Sequence, residues 1–376
     1  MRTAKVFMQK HKILLVIQRR HLLPLYRALR DRVEWHAVVH RQYDDTEADQ
    51  YYTLKRWSFG ALWLKHRKVL KSQIPYCFLG LRQVLNTVHP QTIIASEAYQ
   101  WYTLQLYRYK RAGGAGQLYI YSETKQWPKS MLARMILRFF MWQVRRNVSH
   151  ISGVFVYCSD SKQWWREQVP ELPVSVVPAP VDIAQFYPAK EKDWLPQGVL
   201  RILVNARYIP VKRHQDIFAA VQELQAKGRS VQVSCIGRGE VGRERIERMV
   251  EEIGLRESVR FLDTVSRTEM PALYHAHDVL LLPSSKEAIG MVVPEAMACG
   301  VPTITSNAVG ANTYVKDGET GLIFKTKDVA DLTEKLEQCF DAKRLADMGT
   351  AARAHVQNFS TERIADTFMR SVAGKH

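Results

Sequence analysis

Apolar runs of strand length alternate with amphipathic helical runs twice along this chain, and a stretch with six prolines between Pro170 and Pro196 separates the two series. Strands that are each followed by a helix pair in parallel, with the helices covering the sheet. The first series predicts strands at 12–18, 34–40, 92–96, 118–122, 154–159 and 174–177, with helices at 21–31 and 129–148. The Gly113-Gly114-Ala115-Gly116 turn follows a helix and precedes a strand, so it reads as a helix stop rather than a phosphate loop. The second series predicts strands at 200–205, 230–236, 258–262, 278–282, 301–305 and 322–324. Its helices fall at 213–227, 240–253, 268–275, 327–340, 343–357 and 360–373. A chain of 376 residues exceeds one ordinary core. Two doubly wound α/β domains are therefore expected, with ligands beyond the C-terminal ends of their strands.

One stretch concentrates polar chemistry: Ser285-Lys286-Glu287-Ala288-Ile289-Gly290-Met291-Val292-Val293-Pro294-Glu295-Ala296-Met297-Ala298-Cys299-Gly300-Val301-Pro302. Pro294 suits the first position of a helix, where its missing N–H costs nothing. Gly300 suits the position just past the helix end, where positive φ is needed. The free N–H groups at such a helix start attract phosphate. An acid in the first turn facing outward would accept hydrogen bonds from sugar hydroxyls. On residues alone, Glu287 and Glu295 equally fit acids that merely favour the helix dipole.

The stretch resembles the signature of glycosyltransferase family 4: a glutamate, seven residues, a glutamate, then Ala-Met-Ala-Cys-Gly-Val-Pro. The resemblance implies the GT-B fold, two facing Rossmann-like domains with an interdomain cleft. Its expected bounds are an acceptor-side domain at 1–188, a nucleotide-sugar domain at 189–358, and a terminal helix at 359–376 crossing back to the first. Family members transfer a sugar from a nucleotide-diphosphate-sugar with retention at the anomeric carbon, and a UDP-sugar is the expected donor. By the same resemblance, Arg207 and Lys212 stabilise the departing diphosphate. Glu287 contacts the transferred sugar, and Glu295 accepts from the ribose hydroxyls. Backbone N–H groups at Ile289, Gly290 and Met291 line the phosphate. The Gly237 turn lies near the donor phosphates, and Phe261 and Leu262 lie against the base, with core packing an equal account of Phe261. In place of the paired glycines that relatives often carry after the first strand, this chain has Arg19 and Arg20, assigned to the acceptor side. Where relatives often hold a histidine it has Glu123, which either orients the acceptor hydroxyl or caps the next segment. Ala179-Pro180 replaces the Asn-Gly usual in the linker.

Charge is divided unevenly. Residues 1–150 hold 26 Lys and Arg against 8 Asp and Glu, a net +18, leaving 28 against 29 in residues 151–376. The basic half points to an anionic partner: an acidic glycan, a membrane surface or nucleic acid. The nucleic-acid option lacks any known motif and leaves the second domain unexplained. Residues 51–71, rich in Trp, Lys and Arg, are the favoured contact with an anionic membrane or acidic glycan. Residues 129–147 read first as a core helix whose Arg134, Arg138 and Arg145 form the solvated face, and second as an interfacial helix.

The five cysteines lack metal-ligand spacing and fit reduced core thiols in a cytoplasm. The apolar run Ile13–Ile17 ends in Arg19-Arg20 and is expected to be a first strand, not a signal peptide. No Asp-x-Asp metal motif occurs; Asp44-Asp45 falls in a polar loop. Metal-independent transfer, with no cofactor beyond the nucleotide-sugar substrate, is the expectation. The expected acceptor is a glycan or lipid-linked glycan of cell-envelope polysaccharide or lipopolysaccharide synthesis. The expected location is the cytoplasm, peripheral to the inner face of the plasma membrane. A nucleotide-sugar epimerase of the same fold and an inactive relative serving as a partner protein are the alternatives.

Overall fold

The structure is a computed structural model that describes residues 10–16, 23–39, 50–57, 76–128 and 130–374. The chain divides into two compact units, residues 1–180 with 362–376, and residues 181–361. The division thus falls earlier than 188. Val181 already bonds within the second unit, through its N–H to the Phe359 carbonyl, and Phe186 is fully buried in that unit's core.

The first unit contains β1 (His11–Val16), α1 (Leu23–Ala28), β2 (Val33–Val39), β3 (Gln50–Thr53), β4 (Arg56–Trp57) and β5 (Cys77–Phe78). It continues with α2 (Leu81–Val88), β6 (Thr92–Ser96), α3 (Trp101–Arg111), β7 (Gln117–Ser122), α4 (Met131–Arg146), β8 (Gly153–Val156), α5 (Ser159–Gln168) and β9 (Val174–Val176). Among the described residues its main sheet runs β3-β2-β1-β6-β7-β8-β9, with every pairing parallel. Strand β3 and the β4–β5 antiparallel pair were not expected from the sequence. Gln50–Thr53 lies at the sheet edge with only partial burial, so it lacks the apolar run that marks a central strand.

The second unit contains β10 (Val199–Asn205), α6 (His214–Ala226), β11 (Ser230–Ile236), α7 (Glu240–Glu252), β12 (Val259–Leu262) and α8 (Met270–His275). Then follow β13 (Val279–Leu282), α9 (Val292–Ala298), β14 (Thr303–Ser306), β15 (Gly321–Phe324), α10 (Val329–Glu337) and α11 (Ala342–Val356). Its sheet order among the described residues is β12-β11-β10-β13-β14-β15, all parallel. Leu203, Val204, Leu280 and Leu281 are fully buried, as strands covered on both faces require.

In this order the chain winds outward in one direction from β10 and in the other from β13. The loops after those two strands diverge, leaving a crevice at the topological switch point. A buried ion pair fixes their register. Asp278, with no exposed surface, accepts from Arg201 Nη2 at 2.7 Å, Arg201 Nε at 3.0 Å and the Arg201 backbone N–H at 2.8 Å.

The last helix, α12 (Thr361–Val372), packs in the first unit. Phe368 sits with its ring 5.4 Å from Phe155 and 6.2 Å from Trp35. Asp366 bonds Arg32 at 2.8 Å, and Tyr119 Oη donates to the Ser371 carbonyl at 3.3 Å.

Candidate active site at the switch point of the second unit

After β10 the chain makes a short 3-10 turn at Pro210–Lys212, and Arg213 then takes a left-handed conformation (φ 57°) before α6 begins. This turn projects Arg207 into solvent and folds Lys212 inward, where it is 8% exposed. After β13 the returning loop is stitched to the same turn, Ser285 N–H donating to the Val211 carbonyl at 2.8 Å. Glu287 is pinned from the other side, since its carbonyl accepts from Gly310 N–H at 2.9 Å. Lys212 Nζ and Glu287 Oε2 then form an ion pair across the crevice.

Two glycines make this close approach possible. A Cβ on Gly237 would lie 2.0 Å from the Ala206 carbonyl oxygen, so only glycine lets the end of β11 pass against the end of β10. Gly290, at φ +74°, turns the loop back toward α9 in a conformation that side-chained residues rarely adopt.

The result is a cavity of about 350 Å³. Arg207, Lys212, Gly237, Glu287, Gly290 and Met291 all line it, together with Asn205, Arg238, Thr264, Val265 and Met270, which the sequence reading had not singled out. Arg238 lay in view, inside Gly237-Arg238-Gly239, read there only as a turn. Beneath the floor, His214 is 1% exposed and its Nε2 has no hydrogen-bond partner. Burial, aided by Lys212 and Arg245, pushes its pKa down to about 4.

Four expected donor contacts, Ile289, Phe261, Leu262 and Glu295, fall outside this lining. Ile289 is not among the lining residues. Phe261 and Leu262 are half-buried against the core, Phe261 beneath Arg243 and beside Tyr208, and Thr264 and Val265 of the same loop reach the cavity in their place.

Glu295 differs more. Helix α9 starts at Val292 with Met291 as its cap, so Pro294 is the third helical residue, not the first. The Glu295 carboxylate is 7% exposed, accepting from Arg267 Nη1 at 3.1 Å and from Tyr274 Oη at 3.2 Å. Burial lifts its pKa above the ordinary value, while Arg267 and Tyr274 pull it back. Arg267 in turn lies over the Phe186 ring at 5.1 Å.

In the first unit, the loop after β7 is held by a buried carboxylate. Glu97, 3% exposed and at φ 82°, accepts from Ser122 Oγ at 2.8 Å and from the Glu123 backbone N–H at 2.7 Å. That fixes the position of Glu123, whose own side chain is half-exposed. Arg19, Arg20, Asp44, Asp45 and most of the 51–71 stretch lie outside the described residues.

Residues 189–355 match the family described as Glycosyl transferases group 1. The D-inositol 3-phosphate glycosyltransferase 2 of Catenulispora acidiphila is 30% identical over 217 residues, which cover 53% of this chain and 51% of the relative. The D-inositol 3-phosphate glycosyltransferase of Nocardia farcinica is 30% identical over 210 residues, covering 53% and 47%. The chain thus spans about half the length of these curated relatives. A glycosyltransferase from Rickettsia africae has a similar structure, at a TM-score of 0.78 and 16% identity, over 98% of this chain and 99% of that one. Anabaena HepE, solved with UDP and glucose, gives a TM-score of 0.72 at 18% identity, over 97% and 100%. At those identities the structures speak for the fold, an α/β fold of two Rossmann-like domains. The family match spans residues 189–355, most of the second unit.

Proposed function

We propose that this protein is a retaining glycosyltransferase. It takes a sugar from a nucleotide-diphosphate-sugar, a UDP-sugar first, and passes it to a glycan or lipid-linked acceptor of envelope polysaccharide or lipopolysaccharide synthesis. The observation that carries this reading is the meeting of Arg207, Lys212, Glu287 and the Gly290 turn in one cavity at the switch point. The Anabaena protein's UDP and UDP-glucose complexes support uracil as the base. A phosphorylated polyol, of the kind named for the curated relatives, is the second acceptor reading, favoured by the net +18 of residues 1–150.

In this reading Arg207 and Lys212 neutralise the diphosphate as it departs, the part played elsewhere by a metal ion. Backbone N–H groups of Gly290 and Met291, with Ile289 behind them, receive the phosphate oxygens. Glu287 accepts from a sugar hydroxyl. Glu295 reads the ribose with lone pairs that Arg267 and Tyr274 leave free, since an ionised carboxylate offers about four acceptor sites. The acceptor hydroxyl attacks the anomeric carbon from the face the phosphate leaves. A carbon–oxygen bond to the acceptor forms, the bond to phosphate breaks, and the departing phosphate takes the proton. Positioning and electrostatics then supply most of the rate.

Thermal unfolding with UDP, GDP, ADP and CMP, in EDTA, tests the donor half. A nucleotide at about one hundred times its dissociation constant should add roughly 2.7 kcal/mol of stability. Arg207→Ala should cut turnover about 100- to 1,000-fold while leaving the melting temperature of the free protein unchanged, because the side chain is exposed. No shift with any nucleotide, or wild-type turnover in the variant, would sink the proposal.

A further inference from the structure

Helix α4 is apolar on two opposite faces. Leu137, Phe140, Met141 and Val144 are buried in the first unit's core. The opposite face carries Met131, Leu132, Met135, Ile136, Phe139 and Trp142, all exposed, from 79% at Met131 to 37% at Ile136. At about 100° per residue these six fall within one stripe of roughly 140°. The expected solvated face of arginines is therefore not what the helix presents. Arg134, Arg138 and Arg145 instead flank one edge of the stripe, and Arg146 lies 5.3 Å over the Trp142 ring at its end.

An exposed apolar stripe of this length marks an interaction surface. Its flanking charge indicates what it meets. Between Glu97 and Asp160 the sequence contains a single acid, Glu123, while Arg108, Lys110 and Arg111 end the neighbouring α3. Trp101 of α3 packs on Phe139 and Phe140, joining the two helices. A protein partner would need acids placed to match. A bilayer rich in anionic lipid needs none, because its headgroups reach every arginine while its acyl boundary receives the stripe. Trp at the end of such a stripe suits the headgroup level.

We infer that α4 lies in the surface of an anionic membrane, with Met135, Ile136, Phe139 and Trp142 below the headgroups and Arg134, Arg138 and Arg145 beside them. The inference rests on the lipid-linked-acceptor reading for its purpose and gives that reading a location. β7 leads through the Glu123 loop into the first turn of α4, so Met131 and Leu132 stand at the C-terminal edge of the first unit's sheet, the edge where ligands bind. An acceptor anchored in the same bilayer would have its headgroup at that edge.

The test is flotation of the full chain on vesicles of phosphatidylcholine alone or with phosphatidylglycerol, at low and high salt. Binding should require the anionic lipid and fall with salt. Met135→Gln with Phe139→Gln should weaken it at least tenfold. Arg134→Gln with Arg138→Gln should weaken it on the order of twentyfold, at about fivefold per arginine. Lipids brominated near the headgroup should quench wild-type fluorescence more than that of Trp142→Phe. Failure to float, or flotation untouched by both double variants, overturns the inference. So does a dimer in solution that Phe139→Gln dissociates, since a second copy would then cover the face. A lower melting temperature in the double glutamine variant would mean the chain covers this face itself, and would also overturn it. Stabilisation by UDP, measured on the same proteins, separates the readings: vesicle binding without UDP binding keeps the surface and loses the transferase, and the reverse keeps the transferase alone.

Discussion

Replacing Glu287 with glutamine should tighten UDP binding while slowing transfer. In the free protein the Glu287 carboxylate occupies Lys212, the cation assigned to the diphosphate. UDP lacks the transferred sugar, so it gains nothing from Glu287 and must share Lys212 with it. Both side chains are largely buried, at 10% and 22% exposure, so solvent screens their charges only in part. A carboxylate about 6 Å from a phosphate at an effective dielectric constant near 20 opposes it by roughly 2.8 kcal/mol. Screening through the cavity mouth reduces that to about half, and about 1.4 kcal/mol is a tenfold change in affinity. Glutamine keeps an oxygen for Lys212 Nζ, so the loop stays pinned. Titration calorimetry with UDP at two salt concentrations is the assay. The expected result is a dissociation constant about tenfold lower in Glu287→Gln at low salt, a smaller gain at high salt, and reduced turnover with the sugar donor. Unchanged or weaker UDP binding would show that the carboxylate and the phosphate do not compete, and the assignment of Lys212 would fall with it.

Two other outcomes follow from the same crevice. Gly237→Ala places a methyl 2.0 Å from the Ala206 carbonyl; it should cost about 2–4 kcal/mol in urea unfolding and abolish UDP stabilisation, and wild-type stability would refute the close approach. His214 sets an acid limit: its folded pKa of about 4 lies below the ordinary 6.5, so its stabilising effect is complete above pH 6.5 and fades as pH falls toward 4. The loss at pH 5 is about 2 kcal/mol, and His214→Gln should flatten that part of the stability profile; an unchanged slope would place the titration elsewhere.

Much of the second unit was legible because its central strands are largely buried. Ile202–Val204 and Val279–Leu282 read as continuous apolar runs, which a parallel sheet covered by helices accommodates. The loops that follow them carry Arg207, Lys212 and Glu287, so the gathering of those three was foreseeable from strand order. The burial of Glu295 against Arg267 and Tyr274 was not legible, because a carboxylate in the first turn of a helix ordinarily faces water. For Phe261 an aromatic at a strand end fits core and ligand alike, and the structure packs it against Tyr208. For α4 the core-facing side and the exposed arginines were expected, and the exposed apolar stripe beside them was not. An apolar helix normally means burial on all sides, and only the packed structure reveals which apolar face lacks a neighbour.

Helix α12 has a consequence for how the chain acquires its structure. Arg32 and Asp366 are 334 positions apart, and Phe368 must likewise return to Trp35 and Phe155, which precede it by 333 and 213 positions. Residues 181–361 can bury their own core as soon as they have been synthesised, whereas the first unit waits for a helix encoded after them. The unit made first on the ribosome is therefore the one completed last, with Trp35 and Phe155 lacking their partner throughout synthesis of the second. Contacts so distant in sequence are slow to form and leave apolar surface open to aggregation. Faithful production of this protein depends on how quickly its last turns find a sheet laid down hundreds of residues earlier.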